Sequence, residues 1–210
     1  MASLDKAKHC ELSVFKHIFH QCLMQSTALI FSSGVACEVN ITHLLQAGGH
    51  IITDTQVYCG IDRYFRKCAS KFDLTIDYVD FCDLNQVAKA AESNLQRGSK
   101  SGLVWLESPT NPLLKVTDIR AVTSTLKNIN PNVIIAIDNT FMSPYFQSPL
   151  ELGVDLVMTS ITKYVNGHSD VVMGSISTNR TELYDRLKYL QNGKFMLSRS
   201  AMLTVNVVTK

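Results

Sequence analysis

The stretch "NVIIAIDNT", residues 132–140, decides the fold class of this sequence. An unbroken apolar run, with no polar residue at alternate positions, is typical of a parallel strand that helices cover on both faces. The carboxylate of Asp138 ends the run, at the carboxyl end of the strand. Because ligands of open α/β sheets bind beyond the carboxyl ends of their strands, the stretch predicts both an α/β sheet and the edge that carries its site.

The segments around this strand alternate between two hydrophobic periods. Strand-like patterns occupy residues 48–55, 74–81, 101–108 and 155–162, and helical patterns occupy residues 58–72, 84–96 and 116–129. Strands separated by helices predict a layered α/β domain with a mostly parallel sheet and helices on both faces.

Composition narrows the class of protein. The 210 residues include 46% hydrophobic and 18% charged residues, which is typical of a globular protein. The net charge of +2 is spread along the chain, which disfavours a nucleic-acid partner. The six cysteines form no CxxC pair, so neither a zinc site nor a redox motif is indicated. No apolar run approaches the roughly 20 residues that span a bilayer. We therefore expect a cytoplasmic protein with a small-molecule ligand, without a metal, nucleic-acid or membrane partner.

Two opposite charges follow neighbouring strand patterns. Asp138 ends one strand, and Lys163 comes just after the pattern of residues 155–162. An isolated aspartate at a strand end is as often a helix or turn cap, but a buried carboxylate requires a cation or strong donors. A partly desolvated lysine can attack a carbonyl and form a Schiff base. The pair therefore predicts a shared ligand, and pyridoxal phosphate needs such a lysine and such an acid.

Pyridoxal phosphate also needs a cradle for its phosphate. Gly34 and Val35 open the helical pattern of residues 31–45, and the free N–H groups of a helix N-terminus bind anions. Ser160 and Thr162, which come just before Lys163, add hydroxyl donors. Each signal is weak alone, because such residues also cap helices, but together they favour a phosphate site.

Tyr58 follows the strand pattern of residues 48–55. Its aromatic ring could lie over the ring of the cofactor, or it could pack in the core with its hydroxyl hydrogen-bonded. The residues alone leave both interpretations open.

Three motifs carry a resemblance to a known family. "FSSGVA" at residues 31–36, "ESPTNP" at 107–112 and the long stretch 136–174 resemble the Cys/Met metabolism family of pyridoxal-phosphate enzymes. The resemblance implies a large domain with the aspartate aminotransferase fold over residues 31–192. It leaves residues 1–30 as a partial N-terminal segment with an apparent insertion from Glu11 to Ala28, and residues 193–210 as a tail outside the family pattern.

The resemblance also implies roles for individual residues. Lys163 would bind the cofactor covalently and move protons, Asp138 would pair with the ring nitrogen, and Tyr58 would stack on the ring. The remaining cofactor contacts would be Gly34, Val35, Ser160 and Thr162 at the phosphate and Asn111 near the phenolic oxygen.

The activity implied by the resemblance is that of a carbon–sulfur lyase of transsulfuration, which cleaves L-cystathionine to L-cysteine, 2-oxobutanoate and ammonia, in homotetramers. Sibling activities stay open: cystathionine gamma-synthase, beta-lyase and methionine gamma-lyase. Gly60 stands where the last of these is expected to have a thiol, which argues against methionine as substrate. The family's Tyr-x-Arg element and its substrate-binding arginine have no counterpart in this sequence. We therefore expect this chain alone to be weakly active or inactive, and a non-catalytic cofactor-binding fragment is a further alternative.

Overall fold

The computed structural model describes residues 27–96, 98 and 101–193. All but the first residue of the predicted tail, Gly193, and all but the last two residues of the predicted insertion lie outside the described residues. The described residues form one seven-stranded sheet covered by helices. The strands are β1 (Thr27–Phe31), β2 (His50–Asp54), β3 (Thr75–Val79), β4 (Gly102–Glu107), β5 (Ile134–Asp138), β6 (Leu156–Ser160) and β7 (Gly174–Thr178).

Six α-helices and two short 3-10 helices connect the strands in the described part of the chain. The 3-10 helices cover Ala69–Phe72 and Pro149–Leu152. None of the described helices is long and apolar enough to cross a lipid bilayer. The α-helices are α1 (Gly34–Thr42), α2 (Cys59–Lys67), α3 (Leu84–Gln96), α4 (Ile119–Ile129), α5 (Ser143–Phe146) and α6 (Thr181–Gly193).

The sheet has the strand order β1-β7-β6-β5-β4-β2-β3. The pairs β3–β2, β2–β4, β4–β5 and β5–β6 are parallel. Strand β7 runs antiparallel to both β6 and β1. The prediction of a mostly parallel sheet is confirmed. The sequence patterns did not indicate β1 or β7, and β1 begins at Thr27, four residues before the predicted domain boundary at Phe31.

Alternate residues of the central strands enter two separate cores. Leu103 and Trp105 of β4 pack on one face of the sheet, beneath α1, α2 and α6, whereas Val104 and Leu106 pack on the other face, beneath α3 and α4. This arrangement explains the unbroken apolar runs at residues 103–106 and 133–137, since both faces of β4 and β5 are buried. It confirms the prediction of helices on both faces.

The alternation fixes where the polar side chains at the strand ends point. Ala136 of β5 and Met158 of β6 belong to the core beneath α1 and α2. Asp138 and Ser160 follow them by two residues and therefore lie on the same face, as does Glu107 two residues after Trp105. The carboxyl ends of three strands thus present polar groups to one side of the sheet, next to α1 and α2.

Two helices differ from their sequence patterns. The pattern of residues 58–72 is divided, because α2 ends at Lys67 and a separate 3-10 helix begins at Ala69. Helix α4 begins at Ile119, three residues later than its pattern, because the side chain of Asp118 accepts a hydrogen bond from Ala121 N at 3.0 Å and caps the helix.

Candidate active site

A cavity of about 1010 Å³ lies at the carboxyl ends of β4, β5 and β6. It brings together every residue that the sequence analysis predicted for the cofactor site. Asp138 and Lys163, in particular, line the same cavity and do not lie in separate compartments. The predicted residues in its wall are Gly34, Val35, Tyr58, Asn111, Asp138, Ser160, Thr162 and Lys163.

Asp138 is a half-buried acid at the end of β5. Its Oδ1 accepts a hydrogen bond from Thr140 N at 2.9 Å. Burial raises the pKa of Asp138, and the hydrogen bonds from Thr140 act in the opposite direction. Among the described residues no basic side chain forms an ion pair with Asp138. The site therefore holds an acid whose natural partner would be a cation.

Glu107 is a second acid of the site, and no role for it was predicted from the sequence. It is buried, it lies opposite Asp138 in the β4–β5 register, and its Oε1 accepts a hydrogen bond from Tyr58 N at 2.9 Å. Burial first, and then the negative charge of Asp138, raise the pKa of Glu107 to about 8, although hydrogen bonds from the backbone of Tyr58 and Asn111 oppose the rise. Glu107 thus ties together the two segments that carry Tyr58 and Asn111.

The N-terminus of α1 forms one wall of the cavity. Ser33 caps the helix by accepting a hydrogen bond from Ala36 N at 3.0 Å, so the preceding N–H groups of the first turn stay without an intrahelical partner. A Cβ atom at Gly34 would lie 3.2 Å from Ser160 Cβ. The close approach of helix and strand end leaves a cradle for an anion at the N-terminus of a nine-residue helix.

Thr162 lies in the wall with its hydroxyl already engaged. The hydroxyl donates to Met173 O at 3.1 Å and accepts from Met173 N at 3.0 Å. In this structure Thr162 therefore closes the loop between β6 and β7 and does not offer a free donor. Ser160 uses its backbone N–H, which donates to Thr140 Oγ1 at 2.8 Å, and its side chain stays at the cradle.

Lys163 stands on this loop at the mouth of the cavity. Its backbone N–H donates to Ser160 O at 3.2 Å, and its carbonyl accepts from Gly167 N at 2.8 Å. The amide of Asn166 donates to Asp170 Oδ1 at 2.7 Å and stabilises the following turn. A partly desolvated lysine is expected from the sequence, but Lys163 is exposed, because the loop places it at the rim of the cavity.

Tyr58 immediately precedes α2 and is 43% exposed. This exposure rules out the interpretation of Tyr58 as a core tyrosine. A Cβ atom at Gly60 would lie 2.5 Å from Tyr58 Cε1. The tyrosine ring therefore rests against the backbone of Gly60, and a side chain at position 60 would force the ring to move.

Glu38 is a third acid near the cavity, and the sequence analysis also missed it. It is 0% exposed within α1, and neither carboxyl oxygen has a hydrogen-bond partner in the part of the chain that the structure describes. The signal in the sequence was a single carboxylate in the stretch "GVACEVNIT", residues 34–42, which has no other charged residue.

The sequence of the chain is similar to that of known enzymes. Residues 13–207 match the family model described as Cys/Met metabolism PLP-dependent enzyme. The cystathionine gamma-lyase of Dictyostelium discoideum is 48% identical over 178 residues, which cover 85% of this chain and 44% of that protein. The chain thus spans about two fifths of the length of the curated relatives that it matches.

Two solved structures resemble the described fold equally well. The "cystathione gamma lyase (CalE6)" of Micromonospora echinospora matches with a TM-score of 0.74 and 30% identity over 81% of this chain and 43% of that chain. The cystathionine gamma synthase of Xanthomonas oryzae pv. oryzae, in complex with aminoacrylate and cysteine, matches with a TM-score of 0.74 and 34% identity over 81% and 42%. The fold is therefore that of the aspartate aminotransferase-like enzymes that use pyridoxal phosphate. On its sequence match and its fold, the chain belongs to the Cys/Met metabolism family of PLP-dependent enzymes.

Proposed function

We propose that the chain binds pyridoxal 5'-phosphate covalently through Lys163. The observation that carries this proposal is that an amine, an uncompensated acid and a helix N-terminus line one cavity. These are the three groups that the cofactor needs. The acids of the wall fit a cationic ring nitrogen, and the close contact of Gly34 with Ser160 fits a phosphate at the start of α1.

We further propose that the complete enzyme is a carbon–sulfur lyase that acts on cystathionine and yields cysteine, 2-oxobutanoate and ammonia. The 48% identity of this chain with the lyase of Dictyostelium discoideum, over 178 residues, supports this substrate class. When bound, the cofactor supplies an aldehyde for the amino group of the substrate and a ring that withdraws electrons from its α-carbon.

The residues of the chain would divide the remaining work. Asp138, as the carboxylate, would hold a proton on the ring nitrogen, because a buried ion pair keeps both partners charged. Once the substrate amine has taken its place, Lys163 Nζ would be free to remove the α-proton and to return it elsewhere. Tyr58 would cover the ring and exclude water. Glu107, through the hydrogen bond from Tyr58 N, would keep that tyrosine in place.

A gamma-synthase is the second candidate. The synthase of Xanthomonas oryzae pv. oryzae matches the fold with the same TM-score as the lyase of Micromonospora echinospora, 0.74. A direct comparison would incubate the complete enzyme with cystathionine or with an activated homoserine ester plus cysteine. Release of 2-oxobutanoate from cystathionine supports the lyase, and formation of cystathionine in the second reaction supports the synthase.

We also propose that the enzyme works in the cytoplasm as a homo-oligomer and that this chain alone is weakly active or inactive, as a cofactor-binding part of a larger site. Large apolar side chains exposed beside the cavity support an oligomer. They are Leu113, Leu114, Val116, Phe141, Tyr145 and Phe146.

The proposed weak activity of the isolated chain can be tested directly. Turnover of cystathionine by the isolated chain at the rate of the complete enzyme would contradict it.

The test of cofactor attachment is borohydride reduction of the chain after addition of pyridoxal phosphate, followed by peptide mass spectrometry. We expect one major adduct, on Lys163, and loss of both the adduct and the visible absorption in Lys163→Ala. Lys89→Ala is the matched control, because Lys89 is exposed on α3, away from the cavity. An adduct predominantly on another lysine would overturn the assignment.

A further inference from the structure

Glu38 lies directly behind the wall of the cavity. Helix α1 begins at Gly34, which lines the cavity and contacts Ser160. Side chains four residues apart share a face of a helix, so Glu38 lies one turn behind Gly34 on the side that packs on β6. A fully buried carboxyl group thus occupies the layer between α1 and the carboxyl ends of the central strands.

This carboxyl group has no polar partner. Neither Oε1 nor Oε2 of Glu38 accepts or donates a hydrogen bond within the described residues, and no lysine, arginine or histidine there forms an ion pair with it. The hydroxyl of Tyr64, on α2, is also buried and has no hydrogen-bond partner among the described residues. Burying an ionised carboxylate without a hydrogen bond or a cation costs much more free energy than burying the neutral acid. The carboxyl group of Glu38 therefore carries its proton.

The titratable groups around Glu38 are all acids. Besides burial, Asp138 at the end of β5 and Glu107 at the end of β4, among the described residues, raise the pKa of Glu38. Burial first, and Glu38 in addition, raise the pKa of Tyr64, on α2, and of the Cys37 thiol, on its own helix. Burial, then the charge of Asp138, then that of Glu107 raise the pKa of Glu38 to about 9. Glu38 is therefore neutral at pH 7, and the layer is spared a second full negative charge beside Asp138.

We infer that Glu38 is a third acid of the cofactor site, a positioning residue that acts through Asp138. While Glu38 keeps its proton, Asp138 can carry the negative charge that faces the ring nitrogen. When Glu38 loses its proton to solvent at alkaline pH, the new charge behind Asp138 strengthens the hold of Asp138 on the ring proton. The part of this inference that concerns the cofactor rests on the proposed function, whereas the interaction between the two acids belongs to the chain itself.

The first test uses the cofactor-free chain with ¹³C-labelled glutamate carboxyl groups, observed by NMR across pH. The signal absent in Glu38→Gln identifies Glu38. We expect this signal to show a protonated carboxyl at pH 7 and its midpoint to fall by about one pH unit in Asp138→Asn, because two interacting acids titrate as a pair. Glu92→Gln, on the exposed side of α3, should leave the midpoint unchanged. The same midpoint in Asp138→Asn and the unmodified chain would overturn the inference.

The second test uses pyridoxal phosphate labelled with ¹⁵N in its ring. We expect the ring nitrogen to lose its proton at a lower pH in Glu38→Gln than in the unmodified chain, and Glu38→Asp to restore part of the difference. A residue with a purely structural role would not move this titration, so equal midpoints would contradict the inference. Failure of the unmodified chain to bind the labelled cofactor would instead refute the proposed function, and the first test would then decide the inference alone.

Discussion

The acids at the two ends of the central strands differ in whether they pair with basic side chains. At the amino end of β6, Asp155 is buried. Its carboxylate accepts hydrogen bonds from Lys127 Nζ at 2.8 Å, Arg180 Nη1 at 3.0 Å and Ile135 N at 2.8 Å. At the carboxyl end, Asp138 and Glu107 have no basic partner among the described residues. An acid that is paired with basic side chains contributes to the stability of the fold, whereas an acid without a basic partner is available to bind a cationic ligand. The comparison predicts that mutations at the two ends will change different properties.

The largest expected effect is on stability, at the amino end. Asp155→Ala should lower the free energy of unfolding by about 3 kcal/mol, because it removes three hydrogen bonds to a buried carboxylate and leaves the half-buried Lys127 and Arg180 without this acid. Urea unfolding of the cofactor-free chain measures this loss. Glu151→Ala, an exposed acid nearby, should change the stability by less than about 0.5 kcal/mol. A loss below about 1 kcal/mol for Asp155→Ala would remove the distinction between the two ends.

The next effect depends on pH and belongs to Glu38. Its folded-state pKa of about 9 lies above the ordinary value of 4.5, so the folded chain keeps a proton that the unfolded chain releases. Stability is therefore lost as pH rises from the unfolded to the folded value. Relative to Glu38→Gln, the unmodified chain should lose about 2.7 kcal/mol of unfolding free energy between pH 6 and pH 8, at about 1.4 kcal/mol per pH unit. Parallel pH–stability curves for the two proteins would show that Glu38 does not titrate as described.

A smaller effect concerns cofactor binding at the carboxyl end. Asp138→Asn should weaken the affinity for pyridoxal phosphate about 10- to 100-fold, because it replaces a hydrogen bond to a charged group, worth about 1.5–3 kcal/mol, by a neutral one. The stability of the cofactor-free chain should not fall, since this acid has no cation to leave behind. Equilibrium titration with the cofactor and urea unfolding measure the two quantities. A loss of stability with unchanged affinity would reverse the comparison.

The smallest effect is expected at Tyr58. Tyr58→Leu should weaken cofactor binding by about 0.5–1.5 kcal/mol, the range of an aromatic stacking contact, with no change in the position of the adduct on Lys163. Fluorescence titration of the chain with cofactor tests the affinity. Tyr189→Leu, an exposed tyrosine on α6, is the control and should bind the cofactor normally.

Much of the fold could be predicted because both faces of the central strands are buried, which leaves continuous apolar runs such as residues 133–137 in the sequence. Strands β1 and β7 could not be predicted in this way. β7 reads "GSIST", in which small polar residues outnumber apolar ones, and its pairing depends on a strand far away in the sequence. Tertiary context determines such strands more than their own residues do.

The candidate site could be predicted where chemistry requires particular residue types at strand ends, as for Asp138 and Lys163. Glu38 and Glu107 were missed for a different reason. A glutamate in a helix reads as a solvent-facing residue, and only the packing of α1 against the sheet shows that Glu38 is buried. The role of Glu107 depends on a hydrogen bond from Tyr58, 49 residues away in the sequence, which no local pattern records.

The pairing of β1 with β7 bears on how the protein is made. Within the described residues, the first strand is bonded to the last one, from Thr27 opposite Thr178 to Phe31 opposite Gly174. Gln191 of α6 then donates to Ile30 O. During synthesis β1 leaves the ribosome long before its neighbour exists, so its edge stays open while the parallel strands assemble. A nascent chain that ends before residue 174 therefore has an unpaired β1, which stays open to pairing with other chains.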